Sequence, residues 1–267
     1  MKKSVLVLSL SCDIDFYINE EKIIRKTWGR EILDGTYDNF DLFFMHSSDK
    51  DFIDFDNNII YTKSPDDYNG TGFKTILSLE LIRQYKEHDY IILTNTATVL
   101  NLKLISEFID SDAIDENKFY GGLVVFPAAH IPFFRGDFIL LSKNSINYAL
   151  EGYKQFSNKS WPNDEFIFMC ITRGNKFLSD GKEFENSFMQ VKSIDNFEDL
   201  KISDIGGNFY INTKLLNRKN NDIIISNMIS AYYLIKSDKN KYDFNDIVHV
   251  PNIVKTNNGI FKIEMVS

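Results

Sequence analysis

Asp164 and Glu165 stand together between Trp161-Pro162-Asn163 and the apolar run Phe166 to Ile171, where a helix is expected to open with Asn163 or Asp164 as its cap. A carboxylate at that place has two readings. It is a general base if an acceptor proton comes within hydrogen-bond reach, or a first-turn acid stabilised by the helix macrodipole. A second polar cluster, Thr94-Asn95-Thr96-Ala97-Thr98, follows the apolar stretch Tyr90 to Leu93, and a third, Ser11-Cys12-Asp13-Ile14-Asp15, follows Val5 to Leu10. Polar groups at the carboxyl ends of strands in an open α/β sheet face a crevice, which is where ligands collect, so Ser11, Asn95 and Thr96 are candidate ligand contacts.

Several chemistries lack their residues. No GxGxxG or GxxxxGK[ST] loop occurs to cradle a dinucleotide or ATP, and no GxSxG elbow to expose a nucleophilic serine. Among 38 acidic residues DxD spacings arise easily, at 13–15, 49–51, 54–56 and 110–112; the first lies on the ligand side of the sheet. His46, His88 and His130 show no metal spacing, and His249 is a lone late histidine. No metal ligand set is assigned.

The elements that must position these groups alternate. Val5 to Leu10 reads as a buried strand and Asn19 to Arg30 as a helix; Phe40 to Met45 and Asn58 to Tyr61 as strands; turn chemistry at Ser64 to Gly70 precedes a helix to about Lys86, capped by Asn69 or Thr71. Tyr90 to Leu93 is a strand and Asn101 to Ile109 a helix; Gly121 to Phe126 and Phe133 to Leu141 are strands; Lys143 to Phe156 and the segment through Arg173 are helices. From Phe177 the pattern is irregular, with one helix near Ile223 to Ile235. The class is α/β, a mixed sheet with helices on both faces and an irregular α+β C-terminal part.

A chain of 267 residues is at the upper edge of what one core supports, and 23 Phe with only 5 Pro supply a packed interior, so a single domain is expected. The formal charge of −8 repels phosphate polymers and acidic membranes on average, and a polyanion partner would need a local patch such as Lys214, Arg218, Lys219, Lys236, Lys239 and Lys241. Cys12 and Cys170 cannot build a disulfide framework, which suits a reducing, cytoplasmic setting. The start at Met1-Lys2-Lys3 reads as the approach to a buried strand rather than a leader, and no apolar run approaches the roughly 18 residues of a membrane span, so no membrane partner is expected.

Four blocks, in order, resemble the β-1,3-glycosyltransferases that include the Fringe proteins. Ile24-Arg25-Lys26-Thr27-Trp28-Gly29 is similar to that family's IRxTWG, and Tyr68-Asn69-Gly70-Thr71-Gly72-Phe73-Lys74-Thr75 to its YxNLTLKT. Phe133 to Ser142, with Arg135-Gly136-Asp137, is similar to its xxGxGYVLS segment, and Asn163 to Ile171 to its EDVYVGLCL. The resemblance covers roughly Val5 to Arg173. It implies a GT-A-like, Rossmann-type fold in which residues 1–115 hold a nucleotide sugar, a UDP-sugar above all, and residues 116–267 form the acceptor side. It also implies inverting transfer to an acceptor hydroxyl with Asp164 as base and Glu165 in reserve, and Arg25 and Lys74 as diphosphate partners. Asn95 and Thr96 would then meet the donor, and Arg135, Gly136, Asp137 and Trp161 the substrate. Trp28 either packs under the nucleotide or joins the core.

The sequence departs from the family where its metal-binding DxD would fall. Asn95-Thr96-Ala97 offers no carboxylate, so a divalent ion bridging the diphosphate loses its usual attachment. Metal-independent transfer is the expectation, and a catalytically silent nucleotide-sugar or glycan-binding module is the alternative. The acceptor is left open between a glycan, a protein and a hydroxymethylated base in nucleic acid.

Overall fold

The computed structural model describes residues 2–111, 120–125, 133–157, 162–179, 188–191, 209–213, 221–237, 248–249, 252–255 and 261–264. The expected run Val5–Leu10 is strand β1, flanked by β2 (Phe40–Ser47) and β5 (Tyr90–Asn95), both parallel to it. Outside β2 lie β4 (Ile59–Thr62), parallel, and β3 (Phe52–Asp54), antiparallel to β4. On the other side β8 (Phe133–Ser142) pairs antiparallel with β5, followed by β7 (Tyr120–Val125), β9 (Phe188–Val191) and β11 (Val248–His249). The nine-stranded order is β11-β9-β7-β8-β5-β1-β2-β4-β3, so strands from both halves of the chain share one mixed sheet. Two small pairs complete the strands among the described residues, β6 (Thr98–Leu100) with β10 (Tyr210–Asn212) and β12 (Asn252–Lys255) with β13 (Phe261–Glu264).

The period-2 alternation of the central strands splits the core into two layers. Val5, Val7, Leu42, Phe44 and Ile92 face α1 (Asp15–Ile24), α2 (Trp28–Leu33), α4 (Leu102–Ile109) and α7 (Asn221–Ser237). Leu6, Leu8, Met45, Ile91 and Leu93 face α3 (Thr71–Arg83), α5 (Lys143–Tyr153) and α6 (Asn163–Ser179). Both faces of β1 are covered, which is why its sequence reads as an unbroken apolar run. At about 1.5–3 kcal/mol per buried aliphatic side chain, this double layer fixes register, since a one-residue slip would exchange the two faces.

Three expectations are corrected. The helix expected over Asn19 to Arg30 is two, because Thr27 leaves helical geometry (φ −117°, ψ −122°) and its hydroxyl donates to the Ile23 carbonyl at 2.7 Å. Gly29 then lets α2 approach closely, since a Cβ there would lie 2.7 Å from the Ile24 side chain. Neither Asn69 nor Thr71 caps α3: the cap position is Gly70, whose amide donates to Asp67 Oδ1 at 2.7 Å, while the Thr71 hydroxyl donates to the Tyr68 carbonyl. Asn163 does not cap α6 either, since it is already the first helical residue and its side-chain amide has no hydrogen-bond partner among the described residues.

Helices α5 and α6 meet glycine to backbone. A Cβ on Gly152 would lie 1.8 Å from the Cys170 carbonyl oxygen, and one on Gly174 would lie 1.8 Å from that of Tyr148. Neither carbonyl can give way without moving its helix. Gly152→Ala and Gly174→Ala are each expected to destabilise the chain by about 1–3 kcal/mol or more, read as a lowered denaturant midpoint. An unchanged midpoint would mean that the two helices are not locked at this crossing.

Candidate functional site

Strands β2 and β4 lie on one side of β1 and β5 on the other, so the chain reverses its direction of travel across the sheet between β1 and β5. Adjacent loops part at such a point and leave a crevice at the carboxyl ends. Ser11 follows β1 there, level with the end of β2 through its amide bond to the Met45 carbonyl (3.1 Å), and Asn95 ends β5 beside Leu10. Strand β8 runs the other way, so its beginning, Arg135-Gly136-Asp137, lies at the same edge. Helices α1, α3 and α6 begin near it.

Lys74, on the first turn of α3, is 1% exposed, and its ammonium donates to the Ser11 carbonyl at 2.9 Å and to Asp66 Oδ1 at 2.5 Å. The Asn163 amide donates to the Thr71 hydroxyl at 3.0 Å, joining the starts of α3 and α6. Asp164 Oδ2 accepts from the Gly136 amide at 3.3 Å and Oδ1 from the Glu165 amide at 3.1 Å. Burial pushes the Asp164 carboxyl above the usual aspartate range; the Glu165 and Gly136 amides pull it back, and the Asp137 charge adds to the rise. Glu165 is also raised, by burial and then by Asp164. A Cβ on Gly136 would meet Asp164 at an ordinary 3.4 Å, so space alone does not require glycine there.

At the place of the DxD the structure has neutral groups engaged with one another. Asn95 Oδ1 accepts from the Ala97 amide (3.1 Å) and the Thr98 hydroxyl (3.0 Å), and the Thr96 hydroxyl donates to the buried Glu20 carboxylate. One carboxylate held by a threonine does not supply the charged oxygen set that Mg²⁺ or Mn²⁺ takes, so a divalent ion does not fit these residues. Among the described residues no group of three His, Cys, Asp or Glu is arranged to hold a metal.

The remaining expected site residues divide. Arg25 is not brought to the edge: it sits one helical turn beyond Glu21, its guanidinium 4.6 Å from the centre of the Phe44 ring and donating to the Asn57 carbonyl, so it braces α1 on β2. Trp28 belongs to the core at 1% exposure, its indole donating to the Thr98 carbonyl at 3.1 Å and so propping the turn after β5 from below. Asp137 is buried, paired with Arg135 and accepting from Asn212 (2.6 Å) and Tyr210 (3.3 Å), which ties β8 to β10. Trp161, His130 and most of the basic patch lie outside the described residues, as does the His249 side chain. Lys236 pairs with Glu31 at 2.7 Å.

Sequence reasoning missed Glu20, Glu21 and His46. His46 is buried at the end of β2, with Nδ1 2.6 Å from Asp13 and Nε2 2.7 Å from Glu21, which also accepts from the Ser11 hydroxyl. The available signal was a charged residue on an apolar stripe: Glu20 falls four residues after Phe16 and four before Ile24.

A cavity of about 310 Å³ opens at the opposite edge, lined by Phe40, Leu42, Phe55, Ile82, Tyr85 and His88 among others. No described helix is long and apolar enough to cross a membrane, and both cysteines are free.

No protein-family model and no curated protein matches the chain. Among solved structures it is similar to a glycosyltransferase involved in the glycosylation of the major capsid of PBCV-1, with a TM-score of 0.46 and 8% identity over 85% of this chain and 99% of that one. It is also similar to the glycosyltransferase GlyE of Streptococcus pneumoniae TIGR4, in its apo form (TM-score 0.43, 8% identity, 88% of this chain and 62% of that one) and in a second structure (0.42, 8%, 88% and 63%). The chain thus spans less than two thirds of GlyE. At 8% identity and TM-scores below 0.5, none of these likenesses bears on which side chains act at the edge, and the resemblance to the Fringe-containing family rests on the four sequence blocks.

Proposed function

We propose that the chain is a glycosyltransferase that binds a nucleotide sugar, a UDP-sugar first among them, across the β1/β5 crevice and transfers the sugar with inversion to an acceptor hydroxyl. The observation that carries this reading is the meeting of blocks remote in sequence at one edge: Thr71 and Lys74 on α3, Gly136 on β8, and Asn163 and Asp164 on α6. In the reaction the acceptor oxygen attacks the anomeric carbon while Asp164 takes its proton, and the bond to the diphosphate oxygen breaks on the opposite face. The negative charge released on the nucleotide is stabilised by the Lys74 ammonium. Ser11, Asn95 and Thr96 line the donor side, and the beginning of β8 the acceptor side. A donor screen across UDP, GDP and CMP sugars, read by released nucleotide, tests this; no release with any donor would count against it.

Because neutral groups occupy the place of the DxD, transfer is expected to persist in EDTA and to change little on adding Mn²⁺. Activity abolished by EDTA and restored by stoichiometric Mn²⁺ would overturn that part of the account. The same observation favours a second reading, a nucleotide-sugar-binding module without turnover. Equilibrium binding with no nucleotide release, with or without metal, would select it.

A further inference from the structure

Between two ionised carboxylates, His46 is held in a way that only its charged form satisfies. Carboxylates accept hydrogen bonds and do not donate them when ionised, and a neutral imidazole carries one N–H. Both ring nitrogens of His46 lie within 2.7 Å of a carboxylate oxygen, Nδ1 at Asp13 and Nε2 at Glu21, so with both carboxylates ionised the two bonds require the imidazolium. The groups facing the ring come from every neighbouring element: Asp13 from the segment after β1, Glu21 from α1, and Tyr61 from β4, whose ring centre lies 5.7 Å away. Ser11 donates to the same Glu21 oxygen, and Lys74 holds the Ser11 carbonyl from α3.

The two carboxylates are not equivalent. The Glu21 side chain is 7% exposed and has Ser11 as a second partner, whereas the Asp13 side chain is 64% exposed. When the ring loses a proton, one carboxylate must face a nitrogen lone pair. Asp13, which water can solvate, is released at less cost than Glu21, which would be left buried with a lost bond.

We propose that Asp13, His46 and Glu21 form a proton-operated latch that fixes residues 12–14 at the mouth of the β1/β5 crevice while His46 is charged and frees them when it is neutral, Ser11 staying held by Met45, Lys74 and Glu21. The environment of the ring agrees: burial alone would lower the His46 pKa, but the bonds and charges of Glu21 and Asp13 outweigh it and raise it above the ordinary 6.5. For a group raised on folding, the stabilisation is complete below 6.5 and is lost as pH rises through the raised value. The latch therefore opens on the alkaline side. It stands whether or not the crevice binds a nucleotide sugar.

Imidazole ¹⁵N resonances and amide exchange of the whole chain, followed over about pH 5 to 9, test it. His46 is expected to carry protons on both nitrogens at pH values where a free imidazole is half neutral. Exchange at residues 12–14, corrected for its intrinsic pH dependence, is expected to accelerate about tenfold or more across the same midpoint, the size of one lost charge-assisted hydrogen bond. Asp13→Asn, a change at the exposed partner that spares the core, is expected to lower the midpoint and to leave residues 12–14 exchanging alike on both sides of it. A ring neutral from the start, a flat exchange profile in the parent chain, or an Asp13→Asn variant with the parent's pH response would each overturn the latch.

Discussion

Asp164→Asn is expected to retain fold and donor binding while transfer falls by about 10²–10⁴-fold, because an amide cannot take the acceptor's proton. The amide oxygen can still accept from one of the two backbone N–H groups that the carboxylate now serves, Gly136 and Glu165. The raised pKa sets two further signs. Folding favours the protonated form of Asp164, so the stabilisation it brings is complete below the ordinary value of 3.8 and is lost as pH rises through the higher folded value. At neutral pH the ionised carboxylate is a net cost, and the Asn variant should melt no lower than the parent and unfold at equal or higher denaturant. Transfer by the parent chain should rise with pH along a limb placed above the usual aspartate range. Retention of transfer within a few-fold in Asp164→Asn would remove Asp164 from the mechanism and turn attention to Glu165.

Lys74→Met keeps the aliphatic stem and removes the ammonium. If that charge stabilises the departing diphosphate, transfer should fall by about 10²–10³-fold, the usual consequence of losing one donor at a developing charge. The change in stability should be smaller, because Asp66 is 38% exposed on its side chain and is rehydrated when its partner goes. A purely structural Lys74, tying α3 to the Ser11 carbonyl, predicts the reverse: a lowered melting midpoint with normal turnover in the folded protein. Turnover and thermal midpoint measured on the same preparation separate the two. Arg25, which the sequence resemblance placed in the same role, is expected to show that reverse pattern on substitution by Ala, since its guanidinium lies on Phe44 and the Asn57 carbonyl.

The sequence made the central layer legible for a physical reason. Buried parallel strands read as continuous apolar runs between polar ends, so β1, β2 and β5 and their carboxyl-end clusters stood out. The three-residue strands did not. β3 is three residues long with Phe52 exposed, and β6 and β10 are three each, legible only through their mutual pairing. The break between α1 and α2 escaped because Thr27 acts through a local side-chain bond to Ile23 with no proline to mark it. At the candidate site, the sequence singles out Asp164 and Lys74 because they sit in ordered blocks, and the fold brings both to one edge of the sheet. His46 was passed over because its partners, Asp13 and Glu21, are 33 and 25 residues away and share no spacing with it. Glu20 is not singled out by the sequence, because only the packing of α1 puts its carboxylate against Thr96.

The central claim is that the carboxyl-end crevice between β1 and β5 is where a nucleotide sugar binds. Backbone amide shifts recorded while UDP-sugar is titrated into the full chain test it most directly, since they locate the ligand without requiring turnover. The account predicts saturable shifts clustered at Ser11, Asp13, Lys74, Thr96 and Gly136. Shifts confined to the 310 Å³ cavity at the other edge, around Phe55, Tyr85 and His88, or no saturable shifts with any nucleotide sugar, would contradict it.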